Sequence, residues 1–380
     1  ALVMLKSVRY SSVLKVFNEL AGIAKALLEQ GCKSPAKGLD GHLADVTADS
    51  SHKAIAKSLS DAQISSVLVG AQGIQHPQFS IINALASAIA QMSGSKYGLL
   101  AEGGNSVGAW LAGAVPHRTI GGQSVEKPGL NAAQMMQGLK SYVLLNCEPE
   151  MDSAMPASTM DSLQAANSVI VLSPYASDSM KSYASVILPV APFTETSGTF
   201  VNAAGEWQRF SAVVGALGET KPAWKVLRVL GNMLECDGFN FTSSEQVLQE
   251  IESKIDSRKE KTNLVSYSLP KNPVPNNNDI IRVAEVQAYC GDAIQRRATA
   301  LQNTPDAQSV SVRINKSLAD KLGLKQGDQA LVSQNGREVS LSVDVDSRLS
   351  DNSILLFAGL KDSTSFDATF DPITITKISV

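Results

Sequence analysis

Cysteine is scarce in this chain and never clustered: Cys32, Cys147, Cys236 and Cys290 are its only four, and no two form a Cys-x-x-Cys or similar pair. Iron–sulfur clusters need closely grouped thiolates, and structural zinc needs Cys/His pairs at short spacing, so neither is expected here. The four cysteines read as small buried hydrophobes. His42, His52, His76 and His117 are equally scattered, and His76 before Pro77 reads as a turn or helix-entry residue. Long apolar runs are also missing. No stretch approaches the ~18 residues of a membrane-spanning helix, so no direct span is expected. Lys and Arg (33) fall slightly short of Asp and Glu (36), for a net charge of -3 with no basic cluster. That argues against nucleic acid, whose phosphates demand a Lys/Arg stripe. There is no Gly-x-Ser-x-Gly elbow, Walker loop, His-Glu-x-x-His or local carboxylate pair, so no catalytic residue is assigned. The opening residues, with Lys6 and Arg9 inside a short apolar stretch, do not resemble a signal peptide. A start at Ala with a helix following almost at once reads as part of a longer polypeptide.

What the chain does have is enough apolar content for more than one core: 380 residues at 44% hydrophobic predict two or three domains. Residues 11 to 30 place Val13, Phe17, Leu20, Ala24, Leu27 and Leu28 on one helical face. Short apolar strands are predicted at 66–70, 97–100, 142–146, 169–173 and 186–190, separated by stretches that can supply crossovers. One crossover is the helix carrying Phe79, Ile82, Leu85, Ala86 and Ile89, stopped by Gly94. Such strands suit a parallel sheet covered on both faces. Gly103, Gly104 and Gly108 follow a strand end, where doubly wound sheets bind ligands. Gly104 to Gly108 is nevertheless no Gly-x-Gly-x-x-Gly fingerprint, and no acidic ribose ligand can be placed. Downstream, Pro222 is placed for a first helical turn, and Trp224, Leu227, Leu230 and Leu234 form a face read as core. Ser243 to Gln246 opens a further helix with Val247, Leu248, Ile251 and Ile255. The Pro/Asn-rich run 270–278 reads as a surface linker. Beyond it come short alternating strands, a helix at 318–322 closed by Gly323, and Asn335-Gly336, a type I′ hairpin signal. The fold class is therefore α/β: a doubly wound, mainly parallel sheet followed by a small β-barrel-like domain. The boundaries are 1–60 for a helix and connecting segment, 61–256 for the α/β domain, 257–305 for a linker and extended segment, and 306–380 for the β-rich domain.

One segment stands out, because strand 186–190 runs into prolines and then a loop with Glu195, Gly198, Thr199, Asn202 and Gly205. Glycine there permits positive φ or close backbone approach, and the short polar side chains can satisfy loop amides. Gly198 and Gly205 are both expected in special conformations, with Trp207 plugging the adjacent core. The pattern Glu-x-x-Gly-Thr-x-x-Asn-x-x-Gly resembles that of the molybdopterin oxidoreductase superfamily. Ala-Pro-Phe-Thr-Glu-Thr-Ser-Gly-Thr-Phe-Val-Asn at 191–202, followed by Trp207-Gln208, is similar to one branch, the large iron–sulfur subunit of bacterial NADH:quinone oxidoreductase, respiratory complex I. The resemblance extends to Glu102 through Ala109, Gly113 through Arg118, Cys147 through Glu150, Pro222 through Asn232 and Arg296 through Gln302, covering roughly residues 50 to 305. Leu322-Gly-Leu-Lys-Gln-Gly-Asp328 resembles the C-terminal barrel of the same superfamily. Where the branch usually carries Gly-Arg-Trp-Gln, this chain has Glu206.

The resemblance implies a structural and subunit-binding portion of the peripheral arm of complex I, on the cytoplasmic side of the inner membrane, with other peripheral-arm subunits as partners. It implies no cofactor in this chain; iron–sulfur clusters belong to an N-terminal region of the full-length subunit that these residues do not contain. Gly103, Gly104, Asn105, Glu195, Gly198, Thr199, Asn202 and Gly205 are then candidates for a vestigial site, with no metal ligand. Two alternatives stand beside it. One is a true molybdopterin-dependent oxidoreductase of the formate dehydrogenase or nitrate reductase type, with Gly103 to Gly108 and Glu195 to Gly205 lining the cofactor. The other is an unrelated α/β binding protein.

Overall fold

Small residues on the first helix set how closely the N-terminal elements pack. In the computed structural model, which describes residues 16–35, 39–255, 279–307, 310–367 and 369–378, the helix Val16–Glu29 buries Ala21, Ala24, Ala26 and Leu27 against Ile81, Leu85, Ala88 and Ile89 of the helix Phe79–Ser93. Phe17, Leu20 and Leu28 pack at the margin of that core, and Val13 lies outside the described residues. At Gly22 a Cβ would sit 2.5 Å from the His52 ring, so glycine is what lets the third helix, Ser50–Asp61, approach. His52 closes a capping box with Asp49 and also meets Glu19 at 3.2 Å, which ties the two helices together. Gly94 ends the Phe79–Ser93 helix in the left-handed region, as its position in the sequence predicts.

The parallel strands form where the apolar runs predict them, but they are divided between two sheets. β1 (Ser66–Val69) pairs in parallel with β2 (Lys96–Leu99). A short ribbon follows, β3 (Arg118–Thr119) with β4 (Gln123–Ser124). A second parallel sheet has the order β5 (Ser141–Leu145), β6 (Ser168–Ser173), β7 (Val186–Pro189). Between β2 and β5 the chain makes short helices and the ribbon instead of one crossover helix, so no ladder joins the two sheets among the described residues. Each sheet carries apolar side chains on an open face: Leu68, Val143, Leu145 and Val186 are all exposed. The other face of the second sheet is dry, with Tyr142, Leu144, Val169, Val171, Leu163 and Met180 in one core.

The loop expected after β7 is in fact a hairpin. β8 (Gly198–Val201) pairs antiparallel with β9 (Trp207–Phe210), from Gly198 opposite Phe210 to Val201 opposite Trp207. The helix that follows, Ala223–Met233, departs from the predicted core stripe: Gly231 is its one buried residue and Leu234, just past its end, is 66% exposed. Helical spacing defines a face without saying what covers it. Here the close contact is Gly231 against the Phe239 ring, which a Cβ would meet at 2.3 Å.

The C-terminal region curls a six-stranded mixed sheet into a half-barrel around its own core. Its strands are β10 (Ile281–Val283), β11 (Ser311–Ile314), β12 (Gln329–Gln334), β13 (Arg337–Val345), β14 (Ser353–Leu355) and β15 (Thr374–Lys377), in the spatial order β10-β14-β11-β13-β12-β15. β10 comes from the segment read as extended connection, and all three of its residues are buried. Asn335 and Gly336 both hold positive φ (53 and 79°), which type I′ geometry requires, and they join β12 to β13 with Gln334 opposite Arg337. The linker run 270–278 lies outside the described residues. No helix among the described residues is long and apolar enough to cross a membrane.

Candidate functional site

The signature segment builds one wall of a cleft of about 350 Å³. Asn105 precedes the short helix Ser106–Leu111 without capping it through its side chain; its Oδ1 instead accepts a hydrogen bond from the Val201 N–H at 2.8 Å, joining the glycine-rich turn to β8. Gly108, one turn along, makes room for that side chain: a Cβ there would fall 2.0 Å from Asn105 Oδ1. Ser197 Oγ meets Ser244 Oγ at 2.7 Å and ties the hairpin to the helix Ser244–Lys254. Asn105, Gly198 and Thr199 line the cleft together with Trp207, Phe210, Trp224, Leu248 and Ile251.

The other predicted residues lie outside it. Gly103 and Gly104 are exposed in the preceding turn, where Ser106 Oγ donates to the Gly103 carbonyl at 2.9 Å. Glu195 accepts the Leu217 N–H at 2.9 Å and holds the following loop. Asn202 builds the hairpin turn: its Oδ1 accepts from the N–H groups of Ala204 and Glu206, each at 3.0 Å, and its Nδ2 donates to the Glu206 carboxylate at 3.0 Å. Glu206, the departure from the branch pattern, is thus a turn-closing partner of Asn202. Trp207, expected as a core plug, is 37% exposed on the cleft wall. Replacing it with Ala should therefore cost about 1–2 kcal/mol, below the 3–5 of a fully buried ring.

The two signature glycines are needed for different reasons. Gly205 has φ +83° with open space around it, whereas Gly198 has no positive φ but faces the Phe210 ring, which a Cβ would meet at 2.7 Å. Gly205→Val should cost about 1–3 kcal/mol through backbone strain, and Gly205→Asn, which tolerates the left-handed region, should recover much of it. Gly198→Ala should instead be relieved by Phe210→Leu. Thermal unfolding of these variants decides the matter; equal recovery of both glycine sites by Asn would contradict the distinction.

A second cluster lies at the carboxyl ends of β5 and β6, in segments that the resemblance marks but to which the sequence assigns no site. Asn146 turns there with φ 51°, and Cys147, Glu148, Ser173, Tyr175, Phe193 and Asp292 surround a hollow of about 170 Å³. Glu148 is held by two arginines. Arg296 donates to its Oε2 from Nε and Nη2 (3.1 and 2.9 Å), while Arg297 reaches both carboxylate oxygens and stacks 4.4 Å from the Tyr175 ring centroid. Arg296 Nη1 also donates to Asp152 at 2.9 Å and to the Cys290 carbonyl at 2.9 Å. The family-like segments 147–150 and 296–302, far apart in sequence, are therefore one structural lock.

Neither place offers a reactive thiol or a metal nest. Among the described residues, no group of three or more His, Cys, Asp or Glu side chains is arranged to hold a metal ion. Burial, with Asp152 next in effect, pushes the Cys147 thiol up to about 11, and burial also raises that of Cys290. Thiolate is the nucleophile, so both should resist alkylation in the folded protein. Cys236, exposed, should take iodoacetamide first at pH 8. Mass spectrometry of the time course tests this, and early labelling of Cys147 would contradict the burial argument.

Comparison with known proteins agrees with this architecture. The family model described as molybdopterin oxidoreductase matches residues 40–233. A protein of Staphylococcus aureus (strain MRSA252) named "Putative formate dehydrogenase" is 36% identical over 69 residues, which is 18% of this chain and 7% of that protein. Its counterpart in strain USA300 is 35% identical over the same length. Among solved structures, acetylene hydratase from Pelobacter acetylenicus superimposes with a TM-score of 0.63 at 13% identity, covering 93% of this chain and 64% of that one. That likeness is one of fold. The chain spans under a tenth of the length of the curated relatives it matches.

Proposed function

Because this chain belongs to the molybdopterin oxidoreductase family, we propose that it is a portion of that fold used as a scaffold. Its role is structural and subunit-binding, in the peripheral arm of respiratory complex I on the cytoplasmic side of the inner membrane, holding neither pterin nor iron–sulfur cluster itself. The motifs at 102–109, 113–118 and 191–202, similar to those of the large iron–sulfur subunit of that complex, point to the assembly. The observation that carries the cofactor-free reading is how the signature side chains are used. Asn105, Glu195 and Asn202 are all engaged with backbone N–H groups of this chain, so their acceptors serve the fold.

The cleft also fits a phosphate-bearing pterin poorly. Phosphates call for Arg, Lys or free helix amides. The cleft supplies Arg209, which is paired with Glu252 at 3.3 Å, and it adds the acidic Glu245. At the carboxyl ends of β5 and β6, both guanidinium groups are engaged with Glu148. The residues present do not fit the group, and no step of chemistry is derived through it. The open apolar faces of the parallel sheets give further support, since such sheets are ordinarily covered on both sides. Val143 is 57% exposed on β5, a position suited to a chain that works inside an assembly.

The test is purification of the full-length polypeptide carrying this chain from its host membranes. Flavin, iron–sulfur clusters and NADH oxidation should accompany it, with no molybdenum. One molybdenum atom per polypeptide together with formate oxidation would overturn the proposal and favour the formate dehydrogenase type, to which the short Staphylococcus aureus match points.

A further inference from the structure

The short helix Ala71–Gln75 and the histidine that ends it reach across to the C-terminal sheet at two points. Gln72 Nε2 donates to the Glu285 carboxylate just past β10, and the His76 ring lies 4.9 Å from that of Phe370 at an interplanar angle of 56°. Proline at 77 keeps the His76 backbone extended (ψ 138°), so the imidazole is presented from a fixed chain. His76 is buried, at 8% exposure, and its Nδ1 accepts the Gln78 N–H at 3.0 Å. An accepting Nδ1 carries no proton, so this geometry belongs to the neutral imidazole alone. The ring it meets sits on a strained backbone. Phe370 holds φ at 69°, a region that a bulky aromatic rarely enters. Two backbone bonds to β10 keep it there: the Phe370 N–H donates to the Arg282 carbonyl at 2.6 Å, and the Arg282 N–H donates to the Asp371 carbonyl at 3.1 Å. Charged neighbours do not ease protonation of the histidine. It lines a cavity of about 460 Å³ whose walls carry Glu19 of the helix Val16–Glu29, and that carboxylate is engaged with His52. The helix Ser50–Asp61, β1 and the helix Phe79–Ser93 add only apolar side chains to that cavity. Glu102 is taken by Gln75 at 2.7 Å, and on the sheet side Glu285 is paired with Gln72, while Asp371 and Arg282 flank Phe370 through the backbone. Burial decides the balance and holds the His76 pKa below its ordinary 6.5.

We propose that His76 is a proton-operated latch on the C-terminal sheet: neutral, it buttresses Phe370 in its left-handed conformation, and protonated, it gives up the Gln78 bond and frees residues 369–372 from β10. A proton on Nδ1 sets one N–H against another and leaves a charge where water is scarce. Moving the ring out of its place removes both penalties, and releasing Phe370 relieves its backbone as well. The sign follows from the depressed value. The stabilisation is fully present above the 6.5 of a released histidine and is lost as pH falls from there through the lower, latched value. The latch is a property of this fold and holds whichever assembly the chain serves.

Hydrogen exchange of the whole chain at about pH 7.5 and about pH 5.5, corrected for the intrinsic exchange rate, reads the latch through amides that opening exposes. Protection of the Arg282 and Phe370 amides should fall by about three- to tenfold at the lower pH, because an opening coupled to one proton changes by at most about tenfold per pH unit. The amides of β5 to β7, which lie away from the latch, should keep their protection over the same interval. His76→Asn retains an acceptor near the place of Nδ1 and cannot titrate, so it should abolish the pH step. Unchanged protection in the parent, or a step of the same size in His76→Asn, rejects the latch. Nuclear magnetic resonance of the parent, isotope-labelled at histidine and phenylalanine, gives a second reading that needs no variant. The His76 ring and the Phe370 ring should titrate with one shared midpoint below 6.5. Separate midpoints, or a His76 midpoint at or above that value, likewise reject it.

Discussion

Glu148→Ala should lower stability by about 3–5 kcal/mol, because it removes one partner of a buried ion pair and leaves the other behind. The Glu148 side chain is 5% exposed and that of Arg296 is 10% exposed. Without Glu148, Arg296 keeps Asp152 and the Cys290 carbonyl, and Arg297 loses its carboxylate partner. The double change Glu148→Met with Arg296→Met should be milder than Glu148→Met alone, since it also removes the more deeply buried of the two cations that Glu148 neutralises. Equilibrium urea unfolding measures all of these, and a single variant within about 1 kcal/mol of the parent would contradict a lock at this place.

The same pair sets part of the response to acid. Burial pushes the Glu148 carboxyl up, but its hydrogen bonds and charge contacts with Arg297 and Arg296 outweigh burial and hold it below its ordinary 4.5. A depressed carboxylate stabilises the fold fully above the unfolded value and loses that contribution as pH falls through the folded one. The parent should therefore lose stability below about pH 4.5, and the Glu148→Ala variant should show a shallower acid limb. Parallel acid limbs would mean that the network contributes no proton linkage.

Phe366→Ala should be as costly, about 3–5 kcal/mol, and should act on the C-terminal sheet. Phe366 is fully buried, in the core with Val312, Ile314, Ala330, Val332, Leu341, Ile354 and Ile375. Its ring also lies 5.5 Å from the guanidinium of Arg282, a residue 2% exposed that donates from Nη1 to the Asp367 carbonyl. Burial pulls the Arg282 pKa down to about 10, which marks how little water reaches it. Removing the ring therefore opens a cavity and takes a cation–π partner from a buried cation. Hydrogen exchange should rise across β10 to β15 more than in β5 to β7, and Phe366→Leu should cost well under half as much. A uniform rise across both regions would show that the sheet does not unfold separately.

Local physics made much of this fold legible in advance. Gly94 and Gly323 end helices because the left-handed region costs a glycine nothing, and each depends on its own few neighbours. Asn335-Gly336 selects a hairpin through two φ angles for the same reason. The apolar runs at β1, β2, β5, β6 and β7 are strands because their length and composition suit buried extended chain. At the candidate site, Asn105, Gly198 and Thr199 were singled out by pattern and do meet in one cleft.

Burial and partnership were not legible in that way. Trp207 and the stripe after Trp224 have the composition of core, yet a helix or strand face becomes core only when another surface covers it, and that surface comes from elsewhere in the chain or from another molecule. Glu148 with Arg296 and Arg297, and β10 beside β14, join residues whose separation leaves no periodicity to detect. The division of the parallel strands into two sheets arises likewise from how the segment between β2 and β5 folds back. Sequence by itself determined the kinds of elements and the turns, because these depend on φ preferences and apolar spacing over a few residues, while the family was reached through the resemblance of its motifs. Tertiary structure alone decided which polar groups are consumed by the fold and which aromatic faces stay open, because burial and ion pairing are properties of surfaces brought together across the whole chain.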